Sequence, residues 1–274
     1  MQKQLFSLES HIVVITGAAG LLGRQHADAV AASGGVPILL DLHEEPVKQL
    51  AADLKEKPGV EAAGYAVDIT HEGQLAQNCV QVLERFGRID ALVNNAANNP
   101  KVESKDGKNF SRLENFPLEA WQADLAVGLT GAFLCAKHYG SAIATNPSGG
   151  VILNISSDLG LIAPDRRLYR QPGISEEQQP FKPVTYSVVK TGLIGLTRYL
   201  ATYWPTKVRC NALCPGGVEA GQPAEFLKEL HALIPMDRMA RVNEYQGVVV
   251  FLLSEASAYM NGAVIPMEGG RSVW

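Results

Sequence analysis

The sequence predicts an α/β fold: a doubly wound parallel sheet in three layers, α-β-α, built as a single domain over residues 1–274. Three observations predict it. Short β-branched runs alternate with longer amphipathic stretches from end to end. Most of the short runs are continuously apolar rather than alternating, as expected of parallel strands covered on both faces. No linker, composition break or internal repeat divides the chain.

The first strand is expected over Ile12–Thr16. It runs into Thr16-Gly17-Ala18-Ala19-Gly20-Leu21-Leu22-Gly23, which opens a helix over 21–33. Glycines there let backbone N–H groups approach a pyrophosphate, and the helix N-terminus favours the negative charge. Gly17, Gly20, Leu21, Leu22 and Gly23 are therefore candidate cofactor residues in a Rossmann-type dinucleotide fold. The second strand, 36–40, leads to Asp41. A carboxylate at that point accepts hydrogen bonds from adenosine ribose hydroxyls and repels a 2′-phosphate. Its neighbours Leu42 and His43 supply no arginine, so NAD is expected rather than NADP. Further strands are predicted over 62–67, 91–93, 151–155, 208–213 and 263–266. The helices between them fall at about 44–56, 72–86, 118–145, 184–203 and 243–254. Two polar segments, 98–115 and 164–183, break the rhythm and are longer than ordinary connections, which points to functional loops.

Composition narrows the classes. A chain of 274 residues that is 46% hydrophobic can bury a large core and is neither disordered nor a disulfide scaffold. A net charge of −4 argues against a nucleic-acid partner. Cys79, Cys135, Cys210 and Cys214 lack metal-site spacing, so buried free thiols and no metal are expected. The opening residues lack a signal-peptide pattern and no apolar run is long enough to span a bilayer, so a cytoplasmic protein without a membrane partner is expected.

At Asn94-Asn95-Ala96-Ala97, Asn154-Ile155-Ser156-Ser157, Tyr186-Ser187-Val188-Val189-Lys190 and Pro215-Gly216-Gly217 the sequence resembles the short-chain dehydrogenases/reductases. The resemblance runs from about Ser10 to Met267-Glu268-Gly269-Gly270, and it is the ordered set that carries it. It implies an NAD-dependent oxidoreductase that moves a hydride between nicotinamide and a secondary alcohol or ketone. Ser157 would orient the substrate oxygen, Tyr186 would exchange its proton, and Lys190 would hold the nicotinamide ribose. Tyr186 and Lys190 are four apart on one helix face, where an ammonium can draw a phenol toward a working pKa. Ser156 is expected to turn toward backbone or core. Asp68, with Ile69, would meet the adenine; Asn95, Ala96 and Ala97 would floor the adenosine ribose. Ile155, Pro215, Gly216 and Val218 would border the nicotinamide half. The resemblance also implies a substrate loop at about 217–240 and a homotetramer or homodimer, with helices 118–145 and 184–203 as interface elements and Gly192 and Gly195 allowing close approach.

Four departures qualify the resemblance. The turn reads TGxxGxxG, closer to the extended branch that includes epimerases. Gly128, in Val127-Gly128-Leu129, stands where the family carries a proton-relay asparagine. The threonine after the Pro-Gly turn is missing. Ser157 and Tyr186 are separated by the extra segment DRRLYRQPGISEEQQPFKP. Its Arg166, Arg167 and Arg170, with Lys101, Lys105, Lys108 and Arg112 of the other loop, suggest a polar, anionic, sugar-like substrate. Glu103, Asp106, Asp165, Glu176 and Glu177 offer the alternative of a merely solvated loop. Two other functions stay open: an epimerase- or dehydratase-like enzyme that recycles bound NAD, and a catalytically silent NAD-sensing protein.

Overall fold

Continuous β-branched runs become strands because two covered faces leave no room for polar side chains. The computed structural model describes residues 5–98, 104–105 and 108–274. In chain order it places β1 (Ile12–Thr16), α1 (Leu21–Ala32), β2 (Val36–Asp41), α2 (Glu44–Lys55), β3 (Ala63–Ala66), α3 (Glu72–Phe86) and β4 (Ala91–Asn94). A small antiparallel hairpin follows, β5 (Ser104–Lys105) with β6 (Lys108–Asn109). Then come α4 (residues 118–145), β7 (Gly150–Ile155), α5 (Val184–Tyr203), β8 (Val208–Pro215), α6 (Ala224–His231), α7 (Gln246–Leu253) and β9 (Val264–Met267). Among the described residues the main sheet has seven strands in the order β3-β2-β1-β4-β7-β8-β9, every pair parallel. The order reverses between β1 and β4, and the connections part there, so a crevice opens at the carboxyl ends of the central strands.

Alternate residues of each strand feed two cores. Val13 and Ile15 of β1 pack with Val30, Leu50, Leu54 and Leu252, under α1, α2 and α7. Ile12 and Val14 pack with Leu75, Val82, Tyr139 and Leu200, under α3, α4 and α5. All four cysteines are buried and free. No helix among the described residues is long and apolar enough to cross a membrane.

Three elements differ from expectation. The helix over 118–145 is continuous but contains two π-turns, Ala126–Thr130 and Ala136–Gly140, local widenings that periodicity does not reveal. The expected substrate loop contains α6, where Phe226, Leu227 and Leu230 line one helical face against Leu168, Ile234 and Met239. The last helix begins at Gln246, because residues up to Tyr245 are spent on a turn held by Arg241 and Asn243 carbonyls.

His26 of α1 is fully buried, and neither ring nitrogen has a hydrogen-bond partner. Burial lowers its pKa from 6.5 to about 4, and the neighbouring Asn95 side chain opposes this only in part. The unfolded chain therefore binds the extra proton between those values, and stability falls as pH drops through that window. The loss is roughly 3 kcal/mol. Melting curves from pH 7 down to 4 are expected to show this slope in the parent and a flatter one in His26→Leu; equal slopes would reject it.

Candidate active site

The glycine turn is fixed from β4. Asn95 Nδ2 donates to the carbonyls of Thr16 (2.9 Å) and Gly17 (3.1 Å), and Thr16 Oγ1 accepts from the Asn95 and Ala96 amides at 3.0 Å. Gly17 has φ +61°, and a Cβ there would lie 2.8 Å from Ala96 Cα. Both facts demand glycine. Gly20 caps α1 without any side-chain hydrogen bond, so the first amides of the helix face the crevice.

The crevice is a cleft of about 1140 Å³, larger than most small-molecule pockets, which span roughly 300–1,000 Å³. Gly17, Gly20, Leu21, Leu22, Asp41, Asp68, Ile69, Asn95, Ala96, Ala97 and Ile155 line it, as do Ser157, Tyr186, Lys190, Pro215, Gly216 and Val218. Gly23 is the exception; it is buried beneath the turn, packed on Gly17 and Ala18. Asp41 is held rigid, accepting from the Ala19 amide at 2.9 Å and the Leu42 amide at 2.8 Å. Asp68 accepts from the amide and hydroxyl of Thr70. One expectation needs correction at this end. Arg24 of α1 lines the cleft near Asp41, its Nε donating to the Ala19 carbonyl at 2.9 Å, so the site is not without an arginine. This cradle of open amides, small residues and a carboxylate fixed at the end of β2 fits a nicotinamide dinucleotide.

At the other end, β7 and α5 are tied together. Asn154 bridges Asn94 and Thr197 with two 2.8 Å hydrogen bonds. Ser156 turns inward, as expected, and donates to the Lys190 carbonyl at 2.7 Å. Lys190 Nζ donates to the Ile155 carbonyl at 2.9 Å and lies 5.8 Å from the Tyr186 ring centre. A second ammonium, that of Lys182, stands 4.1 Å from the same ring. Burial lowers Lys190 to about 8; Cys214 opposes the shift and Lys182 adds to it. Burial raises Tyr186 above the ordinary phenol range; a hydrogen bond with Ser157 lowers it, and the Asp158 charge raises it again. The structure thus brings Ser157, Tyr186 and Lys190 to one place.

Behind Tyr186 and Lys190 is a pocket of about 10 Å³, about the space of one water. Gly128 and Asp124 line it, and Asp124 accepts hydrogen bonds from Asn98 and Thr185. A Cβ on Gly128 would come within 2.4 Å of Val189 Cγ1, so an asparagine there would require the Val189 side chain to move aside.

The three arginines expected at the substrate mouth are a correction. Arg166, Arg167 and Arg170 are 65%, 74% and 61% exposed and none lines the cleft. Arg166 and Arg170 pair with Glu176, and Arg167 with Asp165. The insertion therefore neutralises its own charge. Arg112 is likewise occupied, by Glu114 and the Glu176 carbonyl. Lys101, Glu103 and Asp106 lie outside the described residues, as do the side chains of Lys105 and Lys108. What the insertion does contribute to the cleft is Leu168, Tyr169 and Lys182, which face Phe226, Leu230 and Met239 from the segment containing α6. Sequence reasoning also missed Asp158 and Arg271. They form a buried 2.6 Å ion pair at the cleft wall, and Asp158 accepts the Ser157 hydroxyl at 2.7 Å. No group of three or more metal-binding side chains occurs among the described residues.

Fold and cleft together define a dinucleotide-binding α/β protein whose carboxyl-end crevice holds a half-buried tyrosine with a buried lysine and serine. A family model described as short chain dehydrogenase matches residues 11–167, and a second, described as Enoyl-(Acyl carrier protein) reductase, matches 174–272. The chain belongs to the short-chain dehydrogenase family, and is a nicotinamide-dependent oxidoreductase. It is 30% identical to D-threitol dehydrogenase of Mycolicibacterium smegmatis, over 98% of this chain and 95% of that one. It is 29% identical to NADP-dependent mannitol dehydrogenase of Alternaria alternata, over 99% and 96%. The crystal structure of NAD+-bound xylitol dehydrogenase superposes with a TM-score of 0.83 at 27% identity, covering 96% of this chain and 99% of that one.

Proposed function

We propose that the protein is an NAD-dependent dehydrogenase of a polyol or similarly polar sugar-like alcohol, working through Ser157, Tyr186 and Lys190. The observation that carries this reading is Tyr186 itself, half-buried in the cleft with two ammonium groups near its ring and Ser157 lining the same cleft. Similarity to threitol, mannitol and xylitol dehydrogenases supports the substrate class. When bound, the nicotinamide supplies the hydride acceptor or donor. Gly17, Gly20, Leu21 and Leu22 would hold the pyrophosphate, Asp41 the adenosine ribose, Asp68 and Ile69 the adenine. Asn95, Ala96 and Ala97 would support the ribose; Ile155, Pro215, Gly216 and Val218 would bound the nicotinamide half.

In alcohol oxidation Tyr186 takes the proton from the substrate hydroxyl, and in ketone reduction it returns it. Below about pH 8 Lys190 supplies a positive charge that favours the phenolate, and Ser157 orients the reacting oxygen. NAD preference rests on Asp41, which two backbone amides hold in place and whose charge would repel a 2′-phosphate on a bound adenosine ribose. Exposed apolar residues on α4 and α5, Phe133, Val188, Tyr199 and Tyr203, support the expectation of a homodimer or homotetramer.

The test is NADH formation with purified protein against polyols, sugars and simple secondary alcohols, run with NAD and NADP. Polyol-dependent turnover is expected, with NAD favoured about tenfold or more, and Asp41→Ser is expected to erase that preference. Tight NAD binding without turnover on any substrate would overturn the reading in favour of a recycling or sensing role. A preference unchanged in Asp41→Ser would remove the role given to Asp41.

A further inference from the structure

We propose that the buried Asp158–Arg271 pair is a positioning device: Asp158 fixes the direction in which Ser157 donates its hydrogen, and Arg271 balances the Asp158 charge beside Tyr186. The inference rests on the Ser157–Tyr186–Lys190 reading above.

A serine hydroxyl has one hydrogen to give. Here it goes to Asp158 Oδ1 at 2.7 Å, while Ser157 Oγ accepts the Leu159 amide at 3.2 Å. The same amide also reaches Asp158 Oδ1 at 2.8 Å, and Asp158 Oδ2 takes Arg271 Nη1 at 2.6 Å. The two charged side chains are only 5% and 10% exposed. Each carboxylate oxygen therefore has its own task, one toward the serine and one toward the guanidinium.

With its hydrogen given to Asp158, Ser157 can meet Tyr186 only as an acceptor, which suits a protonated tyrosine. When Tyr186 passes its proton to a substrate oxygen, the new phenolate needs a donor. The Ser157 O–H, unbroken, swings from Asp158 Oδ1 to the phenolate oxygen, and no other bond changes in the network. Asp158 resists this swing twice, by competing for the hydrogen and by repelling the phenolate. Arg271 weakens both effects by neutralising Asp158.

The remaining charged and titratable neighbours come from several elements. Tyr186 is faced by Lys190 from its own helix, Lys182 and Tyr169 from the insertion, and Asp124 of α4 across the small pocket. Asp158 is faced by Lys182, Tyr169, Cys214 of β8 and Tyr245 besides Arg271. The one hydrogen of the Ser157 hydroxyl goes to Asp158, so Asp158 decides its direction.

The test is an ultraviolet difference titration of Tyr186 with saturating NAD, each protein read against the same protein carrying Tyr186→Phe. It needs no substrate, so a wrong substrate class leaves it intact. Arg271→Leu is expected to raise the midpoint of Tyr186 ionisation by about one pH unit, because Asp158 is left unbalanced. Asp158→Asn is expected to lower it by about as much, and Arg271→Lys to stay close to the parent. Opposite shifts from two halves of one ion pair are not what lost packing gives. Should Arg271→Leu fail to fold, Asp158→Asn and Arg271→Lys decide alone. A midpoint in Asp158→Asn that is unchanged or raised overturns the proposal.

Discussion

Tyr186→Phe is expected to lower kcat by about 10²–10⁴-fold, the usual worth of a positioned acid–base group, with NADH binding within a fewfold of the parent. The change removes one hydroxyl and leaves the ring, which has Lys182 and Lys190 near it. The reaction loses its proton partner while the nucleotide cradle, built from β1, β4 and α1, is untouched. The pH dependence carries a sign as well. Tyr186 is raised above the ordinary phenol range, chiefly by burial, so alcohol oxidation, which needs the phenolate, is expected to accelerate as pH rises from neutrality. Burial brings Lys190 down to about 8, so the ammonium that supports the phenolate is lost above that pH and the rise should flatten there. Steady-state rates in both directions, with NADH fluorescence titration, check this. A phenylalanine variant that keeps a tenth of parent kcat would transfer the proton role to another group, and the buried Asp124 would be the first to examine.

What the sequence made legible was local. The first strand, the α3 boundaries and the α5 boundaries are as predicted, because each is set by apolar periodicity and by glycine or proline at its ends. The glycine turn and Asp41 could be read because each lies at the end of a predicted strand, and the Ser157–Tyr186–Lys190 set because its motifs, in order, resemble those of the short-chain dehydrogenases/reductases. Pairings across the fold could not be read. Asp158 and Arg271 are 113 residues apart, and only the parallel placement of β7, β8 and β9 brings their segments together. The insertion misled for the opposite reason. Arg166, Arg167 and Arg170 looked like a substrate clamp, but Glu176 and Asp165 of the same segment were close enough to neutralise them. Arg24 was overlooked because it comes from α1, one residue past the glycine motif, rather than from the strand end where a phosphate-binding arginine was sought.

Gly23→Ala is expected to abolish useful cofactor binding, weakening NADH at least 100-fold, and to cost about 1–3 kcal/mol of stability. Gly23 does not have a positive φ, so an L side chain is not excluded by backbone conformation. The objection is contact. A Cβ would lie 2.2 Å from the Gly17 carbonyl oxygen, 2.7 Å from Ala18 Cα and 2.9 Å from the Ala18 carbonyl carbon. All three neighbours are backbone, so no side-chain rotation relieves them, and α1 must lift away from the turn. That motion displaces the Leu21 and Leu22 amides that would meet the pyrophosphate. It also disturbs the Ala19 amide that holds Asp41, so both nucleotide anchors fail together. Gly247→Ala is the matching control. It too is an α-helical glycine, in α7, but a Cβ there meets nothing within 4 Å, and relief of glycine's backbone entropy should raise stability by about 0.5–1 kcal/mol. NADH fluorescence titration and melting of both variants separate the effects. If Gly23→Ala binds NADH as the parent does, the close approach of α1 to the turn is not what holds the cofactor.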